Sequence, residues 1–386
     1  MRSALNVYFG HLRSSIYLPR TENSKIESLI LLLENLPLST LLRTLLNLHA
    51  PNEIIVQTLR SQQGTILSEY TDNQILSGID IIKRDVPLDE IQNEQEEKDD
   101  PVLFRKEEFE VLRVPRKDEV LKIKKVELSE YDPKISKFFS KIMLIDKLRE
   151  TRVLSGFSRV YPENDLNVSQ RKEMLWKDKS KIYSWLPAYI VYGEGIFLEF
   201  DEIKIRQWEE NQRVQKRVEK LIERFNVSQE KRKIKKKVIN ARYVLIHTFS
   251  HLLMNRLTFE CGYSSAALRE RLYVSSEENN SMAGLLIYTA DGDAEGTMGG
   301  LVRMGKPGNL EPAILTAIEE ARWCSADPVC MEMGNLHGQG PDSCNLAACH
   351  NCALVPETAC EDFNRFLDRG VVIGDFNNPS LGFFNL

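Results

Sequence analysis

The chain has 386 residues, 42% of them apolar and 28% charged, with a formal net charge of −5. That length accommodates two or three domains, and the composition is that of an ordinary globular protein. No run approaches the ~20 apolar residues that a membrane span requires, and the slight net acidity excludes a generic polyanion binder.

Residues 3–19 read as extended segments that end at Pro19. From 24 to 83, Ile26-Leu29-Ile30-Leu33 and Leu41-Leu42-Leu45-Leu46 recur at helical spacing, which predicts a series of short helices. The stretch 85–100 is acidic and reads as a solvated linker or surface helix. A β-rich part follows, with alternation at Leu121–Val126, an apolar segment from Arg152 to Tyr161, and two strands around Gly193-Glu194-Gly195 within 188–200. Three helices are then expected: a long charged one over 202–225, an apolar and buried one over 238–259, and a short one over 264–274. Gly284–Ala290 has the composition of a buried strand, and the glycine-rich loop Asp291–Gly300 follows it. Helices are also expected over 310–321 and 361–369.

Six of the seven cysteines lie in the last quarter of the chain: Cys324, Cys330, Cys344, Cys349, Cys352 and Cys360. The pair Cys349-x-x-Cys352 lets two thiolates meet one ion from a single turn, and zinc requires four ligands in a tetrahedron. The run from Cys349 to Cys360 can supply three, and Cys330 or Cys324 can close the site from upstream. A disulfide framework is disfavoured. Met1–Pro19 holds Arg2 and Arg13 and no long apolar run, so no signal peptide and a cytoplasmic location are expected. Zinc held only by thiolates keeps no open position for water, so a structural rather than catalytic ion is expected. Cys261 reads as a core thiol.

Other candidates are weaker. The loop carboxylates Asp291, Asp293 and Glu295 could hold a hard cation, but a tight turn explains them as well. Gly300–Lys306 resembles a P-loop until Pro307 stands where a hydroxyl is needed, so no ATPase motif is present. His247 and His251 share a helix face, and Thr248 replaces the glutamate of a zinc protease. They read as core histidines. The alternative is a metal-dependent nuclease or phosphohydrolase that uses both with Asp291, Asp293 and Glu295. The basic run Lys231, Arg232, Lys233, Lys235, Lys236 and Lys237 could follow a nucleic-acid backbone, or could be a solvated surface.

Several segments resemble a known family. ARWCSADPVC at 321–330 and NLAACHNCALVPETACEDFNRFLDRG at 345–370 resemble the MrfA-like zinc-binding domain, found in certain superfamily 2 helicases and in DrmB of the DISARM antiphage system. SALNVYF, LRETRVLSGFSRV, GEGIFLEFDE, LIHTFSHLL, GYSSAALRERLY and LIYTADGDAEGTMGGLVR extend the resemblance to the DrmB family along the chain. Family members usually carry a further region ahead of the segment that resembles residues 3–19. The resemblance implies a non-catalytic accessory protein of antiviral defence that pairs with a DNA helicase, DrmA, on DNA. It implies zinc at Cys330, Cys349, Cys352 and Cys360, with Cys324 as the alternative first ligand and Cys344 a bystander.

The expected architecture is a mixed α/β (α+β) chain in three parts. Residues 1–110 hold the first strand, a helical region and the acidic linker; 111–240 form a β-rich part with the long basic helix; 241–386 form the zinc-binding domain.

Overall fold

The computed structural model describes residues 8–21, 23–85, 101–159, 186–232, 238–264, 266–289, 299–333 and 336–385. The elements run β1 (Tyr8–Ile16), α1 (Ser24–Glu34), α2 (Leu38–Asn47), α3 (Asn52–Leu67), α4 (Asp72–Asp85), α5 (Pro101–Leu112), β2 (Lys122–Val126), α6 (Pro133–Ser136) and β3 (Phe139–Arg159). They continue with β4 (Ala188–Phe200), α7 (Glu202–Glu209), α8 (Gln212–Arg232), α9 (Ala241–Cys261), β5 (Leu268–Ser275) and β6 (Met282–Thr289). The last are α10 (Gly300–Met304), α11 (Leu310–Glu320), α12 (Val329–Glu332) and α13 (Arg369–Ile373). The class is mixed α/β, as expected. No single described helix is long and apolar enough to cross a membrane.

Two compact units divide the chain: Leu18–Pro101 with Arg116–Lys122, and the segments up to Tyr17, Val102–Pro115 and Ile123 onward. The three-part division expected from the sequence cuts at 110 and 240 instead. The smaller unit is the predicted set of short helices. Asn23 caps α1 by accepting from the backbone N–H groups of Lys25 and Ile26. The helical repeat of leucine and isoleucine then buries Leu29, Ile30, Leu59 and Ile75 completely.

The larger unit is built on a sheet in which β2, β3, β4, β6 and β5 are successive neighbours and β1 also pairs with β3. The β1–β3, β3–β4, β4–β6 and β5–β6 pairings are antiparallel. Against it packs α9, in which Val244, Leu245, Phe249 and Leu253 are fully buried. Asn240 caps its start by accepting from the Tyr243 N–H. Its end is Gly262, at φ 70°, a left-handed conformation that glycine adopts without strain.

Four local expectations are corrected. Residues 188–200 form one strand, not two. Gly195 sits where a Cβ would lie 2.9 Å from the Ile287 carbonyl, and a register shift falls opposite Gly193 and Gly195, so the glycines mark a bulge. The long charged helix is broken into α7 and α8 at Asn211, whose side chain accepts from the Arg213 N–H. The segment expected as a helix over 264–274 is strand β5. Leu-Arg-Glu-Arg-Leu favours a helix locally, but pairing with β6 sends Glu270 and Arg271 to opposite faces, where each finds buried partners. Residues 361–368 are turns, because Phe363, Asn364 and Phe366 take positive φ. Asn364 is fixed there by exchanging hydrogen bonds with Val355, at 2.8 and 3.0 Å.

Candidate metal centre

Four sulfurs converge at the C-terminal side of the larger unit. Cys324 follows α11, Cys330 lies in α12, and Cys349 and Cys352 share one turn closed by the Cys352 N–H on the Cys349 carbonyl at 3.1 Å. The Sγ separations are 3.5 Å for Cys324–Cys349, 3.7 Å for Cys349–Cys352 and 3.9 Å for Cys330–Cys352. A tetrahedron of sulfurs about 2.3 Å from zinc has edges of about 3.8 Å, so the four thiols fit the ion as they stand. Cys324 and Cys330 are buried, and Cys349 and Cys352 half-buried. None of the seven cysteines is in a disulfide.

Polar groups around the sulfurs favour negative charge on them. The backbone N–H of Ala326 donates to Cys324, that of Cys349 to Cys352, and Gln339 Nε2 to Cys330. The Cys330 thiol is drawn down to about 5, first because Cys352 donates to its sulfur, then through Gln339 and the nearby Arg369, all working against burial. Cys352 is pushed up for the complementary reason. Cys324 is pushed up to about 11, chiefly by burial.

The loops are held by residues to which sequence reasoning gave no role. Asp327 accepts from the N–H groups of Cys324 (2.9 Å) and Met331 (3.2 Å), which sets the turn between the first two cysteines. Arg369, fully buried, pairs with Asp327 and donates to the Ala321 carbonyl. Its neighbour Asp368 caps α13 and takes Arg217 in a two-pronged ion pair, at 2.5 and 2.9 Å. A Cβ on Gly370 would lie 2.5 Å from that guanidinium. The run Asp368-Arg369-Gly370 is therefore a clamp between the cysteine loops and α8. The only sequence signal for it was its place in a segment resembling the family.

The expected residues divide unevenly. Cys330, Cys349 and Cys352 come together, and Cys324 joins them rather than substituting for Cys330. Cys360 does not. Its sulfur lies 3.2 Å from His247 Nε2, in a separate buried cluster with His251 and Glu270. Cys344 is buried outside both clusters, with its sulfur 3.5 Å from the Asp342 carbonyl. Cys261 is half-buried at the end of α9, its thiol pushed up to about 11 by burial. Asp291, Asp293 and Glu295 lie outside the described residues, as do Lys233, Lys235, Lys236 and Lys237. Lys231 and Arg232 end α8. Further back on that helix, Lys216 and Lys220 are exposed, but Arg217 is buried on Asp368 and Arg224 donates to the Leu336 carbonyl, so the basic surface is smaller than the composition suggests.

Comparison with known proteins agrees with this geometry. The MrfA Zn-binding domain family matches residues 249–353, a span that contains the four converging cysteines and stops short of Cys360. The DISARM protein DrmB of Bacillus paralicheniformis is 33% identical over 393 aligned positions, covering 99% of this chain. The chain spans 65% of that relative's length. Taken along its whole length, the chain is similar to a DISARM DrmB, and within it residues 249–353 match the MrfA Zn-binding domain.

Proposed function

We propose that this chain is a non-catalytic accessory protein of a prokaryotic antiphage defence system, acting on DNA together with a helicase subunit. The observation that carries this reading is the similarity to a DISARM DrmB along 99% of the chain. Zinc is held by Cys324, Cys330, Cys349 and Cys352 and serves the fold. Four thiolates complete the tetrahedron, and the ion joins two loops that are also tied by Asp327, Arg369 and Gln339. DNA is met by the basic run Lys231, Arg232, Lys233, Lys235, Lys236 and Lys237, which supplies charge against phosphates without base readout.

The test is anisotropy of labelled single- and double-stranded DNA across a salt series, with the chain alone and with a DISARM-type helicase subunit. Affinity falls linearly with salt on logarithmic axes, and neutralising the six basic residues lowers that slope by up to ~5. An unchanged slope removes the run from the interface. No binding in any mixture refutes the DNA-associated role.

A further inference from the structure

Apart from the four converging sulfurs, the described residues gather one other set of mixed donors, and it lies at a junction of three elements. His247 and His251 stand one turn apart on α9, Glu270 projects from β5, and Cys360 comes from the loop after the cysteine turn. All four are buried: His247 and His251 at 0% exposure, Glu270 at 3% and Cys360 at 8%.

We propose that His247, His251, Glu270 and Cys360 form a second metal site, closed and structural, that takes a divalent ion of the zinc type. The distances suit it. Glu270 Oε1 is 3.0 Å from His247 Nε2 and 3.5 Å from His251 Nε2, and His247 Nε2 is 3.2 Å from Cys360 Sγ. Nitrogen, oxygen and sulfur at about 2.0–2.3 Å from a tetrahedral ion are separated by roughly 3.3–3.7 Å. All four donor atoms lie within 4.8 Å of one another.

The surroundings orient His251, Cys360 and Glu270 inward. His251 Nδ1 lies 2.9 Å from the Ala353 carbonyl, which can only accept, so the ring proton sits on Nδ1 and the Nε2 lone pair faces the cluster. That Nε2 and the second carboxylate oxygen of Glu270 make no hydrogen bond, although both residues are buried. A lone pair and a carboxylate facing each other in a buried interior are stabilised by a proton or a cation between them. The Cys360 sulfur accepts from the backbone N–H groups of Asp362 (3.3 Å) and Asn364 (3.2 Å), an arrangement suited to a thiolate. Glu270 Oε1 accepts from the Glu361 N–H at 3.1 Å. One carboxylate, one thiolate and two neutral imidazoles carry two negative charges, which a divalent ion cancels. The mixture of nitrogen, sulfur and oxygen favours zinc over magnesium or calcium. Four protein donors leave no open position, so the ion would fasten α9 and β5 to the loop that the cysteine turn begins.

Zinc content and X-ray absorption of the untagged full chain decide the matter without any mutation. Two zinc ions per chain are expected, with a mean shell of about two and a half sulfurs and one and a half nitrogen or oxygen atoms per ion. One zinc with an all-sulfur shell overturns this proposal and leaves the four-cysteine reading standing. One zinc with a single sulfur does the reverse. No zinc overturns both. His251→Gln and Glu270→Gln are each expected to lose one equivalent and leave an all-sulfur shell. A variant that keeps two equivalents and the mixed shell overturns the assignment.

Discussion

The two units of this chain are stabilised in contrasting ways. In the helical unit the buried apolar residues are aliphatic: Leu29, Leu33, Ile55, Leu59 and Ile79 recur at helical spacing and pack on one another. The larger unit adds buried ions at its joints. Arg271 of β5 meets Glu108 of α5, Nε to Oε2 at 2.6 Å, and also donates to the Ser14 hydroxyl and carbonyl on β1. Arg242 is held by Glu202 and Glu209, and Arg217 by Asp368 and Asp375. An aliphatic core tolerates exchange of one such residue for another, whereas a buried ion has a small set of acceptable partners. The helical unit, with Arg116–Asp118 as a largely buried pair of its own, is thus specified mainly by pattern and the larger unit more by pairs.

The sharpest break in this contrast comes from the sulfur cluster. Cys352→Ser is expected to abolish zinc binding there and to expose the loops from 324 to 369 to protease, while cleavage in the helical unit stays at the parent level. Structural zinc contributes roughly 10–16 kcal/mol in isolated zinc-binding peptides, which makes this the largest effect. Unchanged proteolysis would mean that the loops do not depend on the ion. Because thiolates bind protons in competition with the metal, the parent should release zinc as the solution is acidified.

A smaller loss is expected from Arg271→Ala. It takes the closest cation from Glu108, which is fully buried and keeps Arg105 at 3.4 Å, the Tyr273 hydroxyl and the Ile16 N–H, and it removes the donors that reach Ser14. Leaving one partner of a buried ion pair uncompensated costs about 3–5 kcal/mol; with Arg105 still beside Glu108 that is the upper bound of the loss, read as a lower denaturant midpoint of the larger unit. A loss under ~1 kcal/mol would show that the pair is dispensable and that the larger unit, too, rests on its apolar core.

The same contrast explains what could be seen in the sequence. Helices α1 to α4 and the apolar helix α9 were legible because hydrophobic spacing is a local signal. The cysteine module was legible because Cys349-x-x-Cys352 has a chemical meaning at close range. Strand β5 was missed because its residues are good helix formers, and its conformation is decided by pairing with β6 and by contacts with His247 and Glu108, none of which its own composition shows. The fate of Cys360 was hidden for the same reason. Spacing places it beside Cys352, but Glu270 N–H bonds to the Ala359 carbonyl at 3.1 Å, and this contact draws the loop onto β5 and away from the other sulfurs. Asp327 and Arg369 act across 42 positions, beyond any periodicity.

The finest distinction between the units is one carboxyl. Glu108 has a guanidinium against it, whereas Glu27, fully buried in the helical unit, accepts from the backbone N–H groups of Arg20 and Thr21 with Asp118 close by. Burial is the strongest influence on Glu27 and raises it from 4.5 to about 7, against the two N–H groups that lower it. A carboxyl raised on folding binds its proton more tightly folded than unfolded. Between those two values folding therefore takes up a proton, and stability falls as pH rises through the window. The loss is complete above about 7. Glu27→Gln keeps an oxygen for both N–H groups and removes the titration. Amide protection in α1 to α4, corrected for intrinsic exchange, should then decline less from pH 5 to pH 8 than in the parent, and the variant should be the better protected at pH 8. Parallel pH profiles for the two proteins would place the buried charge of the helical unit on another residue.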